Sequence, residues 1–194
     1  MKFKILFFVL SCFSLSLIAQ ESGKITYNIS METSDPEMQQ AMAMMGGNMD
    51  MQVISYFSKD GFRSEMVNPF MSTTTIAPSA GEEVLILMDG MMGKSAILSE
   101  TEDYKSSKGL KDGESIDFTL TDETKEILGY SCKKATVDAG KDSEMIFWYT
   151  DEIRPTRMSP DMPGSLPGMP LEYTVNSDQM TMNFTVTDLS FEEV

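Results

Sequence analysis

The sequence predicts a mainly β protein built on an antiparallel, curved sheet, with one short helix and a proline-rich loop. Several segments alternate apolar and polar residues with a period of two, which is typical of strands that bury one face. Turns that contain glycine separate successive segments, and such turns favour hairpins over parallel βαβ units. The 194 residues are enough for one domain of ordinary size.

The first and last predicted strands show the clearest alternation. Segments 24–31 and 180–187 each place an apolar side chain at every second position, so each is expected to bury one face. These apolar positions are Ile25, Tyr27, Ile29 and Met31 in the first strand and Met180, Met182, Phe184 and Val186 in the last.

Further strands are predicted between these two, with turn residues separating them. The strands are expected at 49–57, 62–67, 83–88, 94–98, 115–120, 130–137, 144–150 and 171–176. The turn signals are Asp60-Gly61, Asp89-Gly90, Met92-Gly93, Asp112-Gly113 and Gly140-Lys141-Asp142. Hairpin after hairpin implies an antiparallel meander.

One helix is predicted between the first two strands. Asp35 can cap its amino terminus, Pro36 suits the first helical position, and Glu37 lies near the positive end of the helix dipole. Gly46-Gly47 ends the helix. The methionines expected on one helical face are Met38, Met42 and Met45.

Some strands are apolar on both faces, including 84–88 and 144–150, and such a sheet needs cover on both sides. The helix and the proline-rich loop at 154–170 offer limited cover, because prolines cannot supply continuous ladder hydrogen bonds. A curved sheet whose concave face holds a cavity and a closed sandwich without a cavity both satisfy this pattern.

The first 19 residues are interpreted as a secretory signal peptide. Lys2 and Lys4 form a positive region, the apolar run 5–18 follows, and cleavage is predicted after Ala19. The run is too short for a permanent membrane helix, which needs about 20 residues. A single β-rich domain at 20–194 is therefore expected to be periplasmic or secreted, without a transmembrane span.

Two alternatives exist for this leader. The first is an uncleaved anchor, because Leu17 is a mediocre residue for the third position before the cleavage site. The second is lipidation at Cys12, which is disfavoured because the apolar region before it would be only six residues, Ile5 to Leu10.

Composition excludes several classes of function. The sequence has no histidine, which excludes histidine-dependent triads and imidazole metal sites. The net charge of −15 repels phosphate backbones, so no nucleic-acid partner is expected. Cys132, the only cysteine after the leader, is expected to be buried, because no histidine or second cysteine could activate it. No nucleophile elbow or phosphate-binding loop occurs, so neither enzymatic activity nor a cofactor is expected.

Three segments together carry a family resemblance. They are Ile127-Leu-Gly-Tyr-Ser-Cys-Lys-Lys-Ala135, Trp148-Tyr-Thr-Asp-Glu-Ile153 and Gly164-Ser-Leu-Pro-Gly-Met-Pro-Leu-Glu-Tyr173. In this order they resemble the GLPGLI-type and related uncharacterised families of secreted Bacteroidetes proteins. The resemblance covers roughly residues 23–190 and implies an extracytoplasmic antiparallel protein similar to half-barrel, LolA-like lipoprotein carriers. It implies no catalytic residues.

Methionine is abundant, with 19 residues, and crowds the segment 38–51. Thioethers suit Cu(I), so Met38, Met42 and Met45 are an alternative metal site. Methionine also lines adaptable apolar surfaces, and this interpretation is favoured because the other methionines scatter along strands and the proline-rich loop. Clustered carboxylates are expected in solvated turns; they are Glu100, Glu102, Asp103, Asp122, Glu123 and Glu126.

We therefore expect a non-enzymatic protein that binds an apolar ligand, such as an acyl chain, or a hydrophobic polypeptide on one sheet face. The residues expected to line that surface are Met145, Phe147, Trp148, Met180, Met182 and Phe184. Two alternatives are an interaction module of the cell envelope without a cavity and a methionine-based Cu(I) binder. The sequence assigns no oligomeric state.

Overall fold

The computed structural model describes residues 22–44, 51–68, 70–79, 83–91, 93–107, 118–140, 143–154 and 166–191. The predicted signal peptide, Met45 and most of the proline-rich loop lie outside these ranges. Within them, every strand belongs to one open antiparallel sheet of eleven strands. The prediction of a mainly β protein with an antiparallel curved sheet is confirmed, and the strands of the described residues form one open sheet rather than a closed sandwich.

The strands are β1 (Gly23–Thr33), β2 (Met51–Ser58), β3 (Gly61–Val67), β4 (Met71–Pro78), β5 (Glu83–Gly90), β6 (Gly93–Glu100), β7 (Thr119–Ile127), β8 (Tyr130–Gly140), β9 (Ser143–Thr150), β10 (Met169–Asn176) and β11 (Met180–Ser190). The helices are α1 (Pro36–Met44) and α2 (Thr101–Ser107).

The strand order is β6-β5-β4-β3-β2-β1-β11-β10-β9-β8-β7. It consists of two hairpin meanders that meet where the first strand pairs with the last. Lys24 lies opposite Ser190 and Thr33 opposite Met180, so β1 and β11 pair along nearly their whole length. Among the described strands, β6 and β7 lie at the two ends of this order, and they are consecutive strands in the chain.

Register shifts interrupt several ladders, for example between Thr26 and Tyr27 and between Pro170 and Glu172. An extra residue in one strand bends it and increases its twist. These positions therefore curve the sheet, as the sequence predicts.

Helix α1 begins as predicted. The Asp35 carboxylate accepts hydrogen bonds from the backbone N–H groups of Glu37, at 2.8 Å, and Met38, at 3.2 Å. These bonds satisfy two donors that have no partner within the first helical turn.

Three elements differ from the expectation. The apolar pattern does not predict strand β4, because Ser72-Thr-Thr-Thr75 lacks apolar alternation, although threonine suits strands well. The prediction of a single helix is wrong: a second helix, α2, contains Glu102 and Asp103, for which the sequence predicts a solvated turn. The acidic residues Asp122, Glu123 and Glu126 lie on β7 and not in a turn; β7 spans Thr119–Ile127, whereas the sequence predicts a strand at 115–120.

One face of the sheet, here called the core face, carries Ile25, Tyr27 and Ile29 of β1, all at most 5% exposed. Phe57 and Phe62 extend this buried cluster to β2 and β3. The buried Tyr27 hydroxyl donates a hydrogen bond of 2.6 Å to the Pro170 carbonyl. Burial raises the pKa of Tyr27 well above its usual value, so this hydroxyl stays a donor at neutral pH.

Candidate functional site

Two adjacent rows of apolar side chains cross the core face where the two meanders meet. Cross-strand partners in the ladders share a face, so the register defines each row. The aromatic row is Phe147, Tyr173, Phe184 and Ile29. The methionine row is Val137, Met145, Val175, Met182 and Met31.

The aromatic row is a continuous stack. The rings of Phe147 and Tyr173 have centroids 5.7 Å apart and planes inclined by 18°. Tyr173 and Phe184 lie closer, at 4.1 Å and 10°. Phe118 and Tyr27 meet the stack edge-on, at 5.5 Å from Phe147 and 5.7 Å from Tyr173. Neighbouring strands lie about 4.8 Å apart, which brings rings at paired positions into contact and makes a rigid base.

The methionine row is more open. Val137 at one end is 7% exposed, whereas Met145, Val175, Met182 and Met31 are all half-buried. A half-buried thioether keeps several rotamers and can adapt to the shape of a partner. The row is therefore an adaptable apolar strip beside a rigid aromatic one.

Helix α1 follows β1 just beyond this strip. The Thr33 hydroxyl and the Ser34 backbone N–H both donate to the Gln179 carbonyl, at 2.8 and 3.0 Å. Two methionines of the helix, Met38 and Met44, are 43% and 79% exposed. Apolar side chains thus extend past the end of β1 into solvent.

Five of the six residues predicted to line the site share the core face. The register places Met145, Met182 and Met180 there, the last opposite Thr33 of β1, and Phe147 and Phe184 belong to the aromatic row. Trp148 lies on the other face, opposite Glu172 and Lys134.

Sequence reasoning missed five members of the two rows, which are Ile29, Met31, Val137, Tyr173 and Val175. Alternation in β10, where Tyr173 and Val175 share a parity, was the available signal. Of the alternative metal site, Met42 is half-buried and Met38 exposed on α1, while Met45 lies outside the described residues.

Trp148 is covered by charged side chains on its own face. Lys125 Nζ lies 4.4 Å from the ring centroid and Lys134 Nζ lies 6.0 Å away. Lys125 pairs with Glu172 at 2.5 Å, and Lys134 pairs with Glu123 at 2.8 Å. This arrangement is a cation–π and ion-pair network that holds β7 to β10 together.

Cys132 lies beside this network, opposite Lys125 in the ladder, and is fully buried. Burial raises the pKa of the Cys132 thiol to about 11, since the charged thiolate is poorly solvated there. The thiol is therefore protonated at neutral pH, as expected of an inert structural cysteine.

Open grooves of about 630 and 500 Å³ lie on the face opposite the core face of the described sheet. The larger is lined by Tyr56, Arg63, Glu65, Ile76 and Pro78 among others, and the Arg63 guanidinium lies 5.8 Å from the Tyr56 ring centroid. Within the described residues, no group of three acidic or cysteine side chains could hold a metal ion. No helix in those same ranges is long and apolar enough to cross a membrane.

The fold and this surface define the class: an open antiparallel β-sheet domain with an apolar strip on its core face. A family model described as "N-glycanase peptide, N-terminal domain" matches residues 77–193. The match covers more than half of the chain, which therefore belongs to this family. No curated protein matches the chain. The GLPGLI-type resemblance stays a prediction.

Several solved structures are similar. PNGF-II in space group P21 has 19% identity and a TM-score of 0.47, over 90% of this chain and 29% of that one. The MucA/MucB complex of Pseudomonas aeruginosa has 10% identity and a TM-score of 0.45, over 90% and 53%. LprF of Mycobacterium bovis has 7% identity and a TM-score of 0.37, over 91% and 89%. The chain thus spans less than a third of the PNGF-II chain.

Proposed function

We propose that this chain is a non-enzymatic binding module that acts outside the cytoplasm and holds an apolar ligand or a hydrophobic polypeptide segment. The observation that carries the proposal is the methionine row, which crosses five strands of the core face and stays half-buried along most of its length. Apolar side chains gathered on a single strip mark contact surfaces more often than scattered ones do.

The energetics favour an elongated apolar occupant. Each methylene that moves from water onto the strip contributes about 0.8 kcal/mol. The stacked rings of Phe147, Tyr173 and Phe184 are already ordered, so binding loses little side-chain entropy there. The flexible thioethers of Met31, Met145 and Met182 adjust to the occupant.

Chemistry supports binding over catalysis. The sequence supplies no histidine as a general base, and the protonated Cys132 is a poor nucleophile. The amino-terminal sequence, with its positive region and apolar run, supports export from the cytoplasm.

Family membership favours a second candidate, in which the occupant is part of a glycoprotein. The family is named for the amino-terminal domain of an N-glycanase. A domain of this kind would hold the polypeptide of a glycosylated substrate or partner. Binding of a glycopeptide but not of an acyl chain would favour this candidate.

The decisive experiment titrates the purified protein with a fluorescent C16 fatty acid and, separately, with a labelled apolar peptide. Met182→Gln puts a polar group in the middle of the strip and should weaken binding of the true occupant about tenfold or more, because each 1.4 kcal/mol is a factor of ten. Thr181→Gln, one position away on the opposite face, is the matched control and should leave the affinity unchanged. Equal effects of the two substitutions, or binding of neither probe, would contradict the proposal.

A further inference from the structure

The outer edge of β6 has unusual chemistry for a free strand edge. Natural edge strands carry charges, prolines or bulges that prevent pairing with other chains. Here Ile97 and Leu98 in the middle of the strand are 46% and 61% exposed. No strand in the described part of the chain pairs with this edge.

Helix α2 follows β6 directly but does not cover this edge. Its Tyr104 is 4% exposed and packs in one cluster with Ala77 of β4 and Val84 of β5. The helix therefore turns inward over the sheet, away from the outer side of β6.

The hairpin fixes which residues of β6 direct backbone groups outward. Gly90 lies opposite Gly93 across a connection of two residues, and such a flanking pair is hydrogen-bonded. Bonded and non-bonded pairs alternate along an antiparallel ladder. The residues whose N–H and C=O groups point away from β5 are therefore Lys94, Ala96, Leu98 and Glu100.

The charges at the two ends of β6 are opposite. Lys94 Nζ lies 2.9 Å from the Asp89 carboxylate at the start of the strand. Glu100 at the end lies opposite Glu83 of β5, and like charges at paired positions repel. A positive charge arriving beside Glu100 from outside would relieve this repulsion.

We propose that the β6 edge pairs antiparallel with β6 of a second copy of the chain, with Ile97 on the two-fold axis. In this register each of the four residues with outward-pointing backbone groups lies opposite such a residue of the second copy, so their N–H and C=O groups can pair. Lys94 meets Glu100 of the other copy, and Ala96 meets Leu98. The two Ile97 side chains meet on the core face. The interface is isologous, so each contact occurs twice.

The register centred on Ile97 satisfies this edge better than a register shifted by one residue does. Moving the axis by one residue, to Ala96 or Leu98, preserves the hydrogen-bonding parity but places Lys94 opposite Leu98 or leaves it beyond the pairing. Only the Ile97 register joins both opposite charges and all four outward residues.

Charge reversal tests the pairing. Sedimentation of the purified protein over a concentration series should reveal a monomer–dimer equilibrium. Lys94→Glu and Glu100→Lys should each weaken the dimer about tenfold or more, because each creates two like-charge contacts at the interface. Lys59→Glu, an exposed reversal outside β6, is the control and should leave the equilibrium unchanged.

Mixing the two variants makes the test independent of folding defects. A Lys94→Glu chain carries Glu at both positions and a Glu100→Lys chain carries Lys at both, so an equimolar mixture should form a heterodimer. Protein that stays monomeric at every concentration, or variants whose mixture does not associate, would overturn the proposal.

Cross-linking tests the register. In a Cys132→Ser background, Ile97→Cys should give a disulfide-linked dimer on mild oxidation, because Cα atoms at a non-hydrogen-bonded pair lie about 4.5 Å apart. Ser95→Cys should not, since the two Ser95 positions are four residues apart along the pair, about 13 Å. Efficient cross-linking at position 95 and none at 97 would overturn this register.

Discussion

The ring of Tyr173 stacks on that of Phe184, with centroids 4.1 Å apart and planes inclined by 10°. The contact joins β10 to β11, beside the line where the two meanders meet. Tyr173 also stacks on Phe147 of β9, so a single aromatic row ties three strands to the centre of the sheet.

Truncating Phe184 should therefore destabilise the fold. Phe184→Ala should lower the free energy of unfolding by about 3 kcal/mol, from the lost burial and the vacated space. Phe184→Leu should cost about 1 kcal/mol, mainly through the lost ring stacking. Urea denaturation measures both losses of stability, provided that the m-value is unchanged by the substitution. Leu120→Ala, at a 55% exposed position of β7, is the control and should change stability by less than about 0.5 kcal/mol.

Gly168 precedes β10 where the chain passes close to the end of β9. A Cβ atom built on Gly168 would lie only 2.0 Å from the Thr150 carbonyl oxygen. Gly168→Ala should therefore lower the free energy of unfolding by about 3 kcal/mol or more, because the backbone at Thr150 must move to admit the methyl group. Gly129→Ala provides the comparison, since it faces open space at φ +83° and should cost only about 1 kcal/mol. Thermal unfolding that ranks Gly129→Ala as the worse substitution would refute this account.

The buried thiol of Cys132 gives stability a dependence on alkaline pH. Burial raises the pKa of Cys132 from 9.0 to about 11, so the unfolded chain loses this proton at lower pH than the folded one. The stabilisation is full below pH 9 and disappears as the pH rises to 11, with a slope of up to about 1.4 kcal/mol per pH unit. The difference in unfolding free energy between the native protein and Cys132→Ala should shrink over that window. A difference that stays constant from pH 8 to 11 would contradict the prediction.

The same burial predicts slow reaction of Cys132 with thiol reagents. Iodoacetamide at pH 8 should leave the folded protein unlabelled and label it rapidly in urea, because only an exposed thiolate reacts. Labelling followed by mass spectrometry measures this. Rapid labelling without denaturant would show that the thiol is accessible.

Trp148 is the single tryptophan and reports on the network around Lys125. Lys125→Met removes both the cation above the ring and the partner of Glu172. We expect a changed emission maximum and a loss of about 1 kcal/mol of stability. Lys133→Met, which breaks only the exposed Lys133–Asp151 pair, should leave both nearly unchanged. An identical response of the two variants would argue against a cation–π role.

Local pattern predicted the parts of the fold that depend on neighbouring residues. Alternation identified β1 and β11, and the cap at Asp35 identified α1. Strand β4 escaped because its threonines form strands without an apolar stripe, and α2 escaped because Glu102 and Asp103 resemble a polar turn. The pairing of β1 with β11 depends on packing between residues far apart in sequence, which no local pattern encodes.

In the candidate site, too, local pattern predicts the relationships within a strand but not those between strands. Met145 and Phe147 share a face of the sheet, which the sequence predicts because they differ by two positions in one strand. Trp148 lies on the other face, as its adjacent position in the strand requires. Both faces of β9 are apolar, so only the register shows which of them belongs to the core. Tyr173 joins the row through its pairing with Phe184, a relationship across strands.

The strand order has a consequence for biosynthesis. Strand β1 is the first strand of the sheet to be synthesised, yet one of its two neighbours in the sheet is β11, which is synthesised last. Until the carboxy-terminal segment is synthesised, the edge of β1 that pairs with β11 has unpaired backbone groups. Ile25, Tyr27 and Ile29 lie on the same strand, so an incomplete chain can pair there with a β-strand of another protein. Truncated translation products should thus be bound by chaperones or degraded by proteases, whereas in the full-length chain β11 pairs with β1 and satisfies these backbone groups.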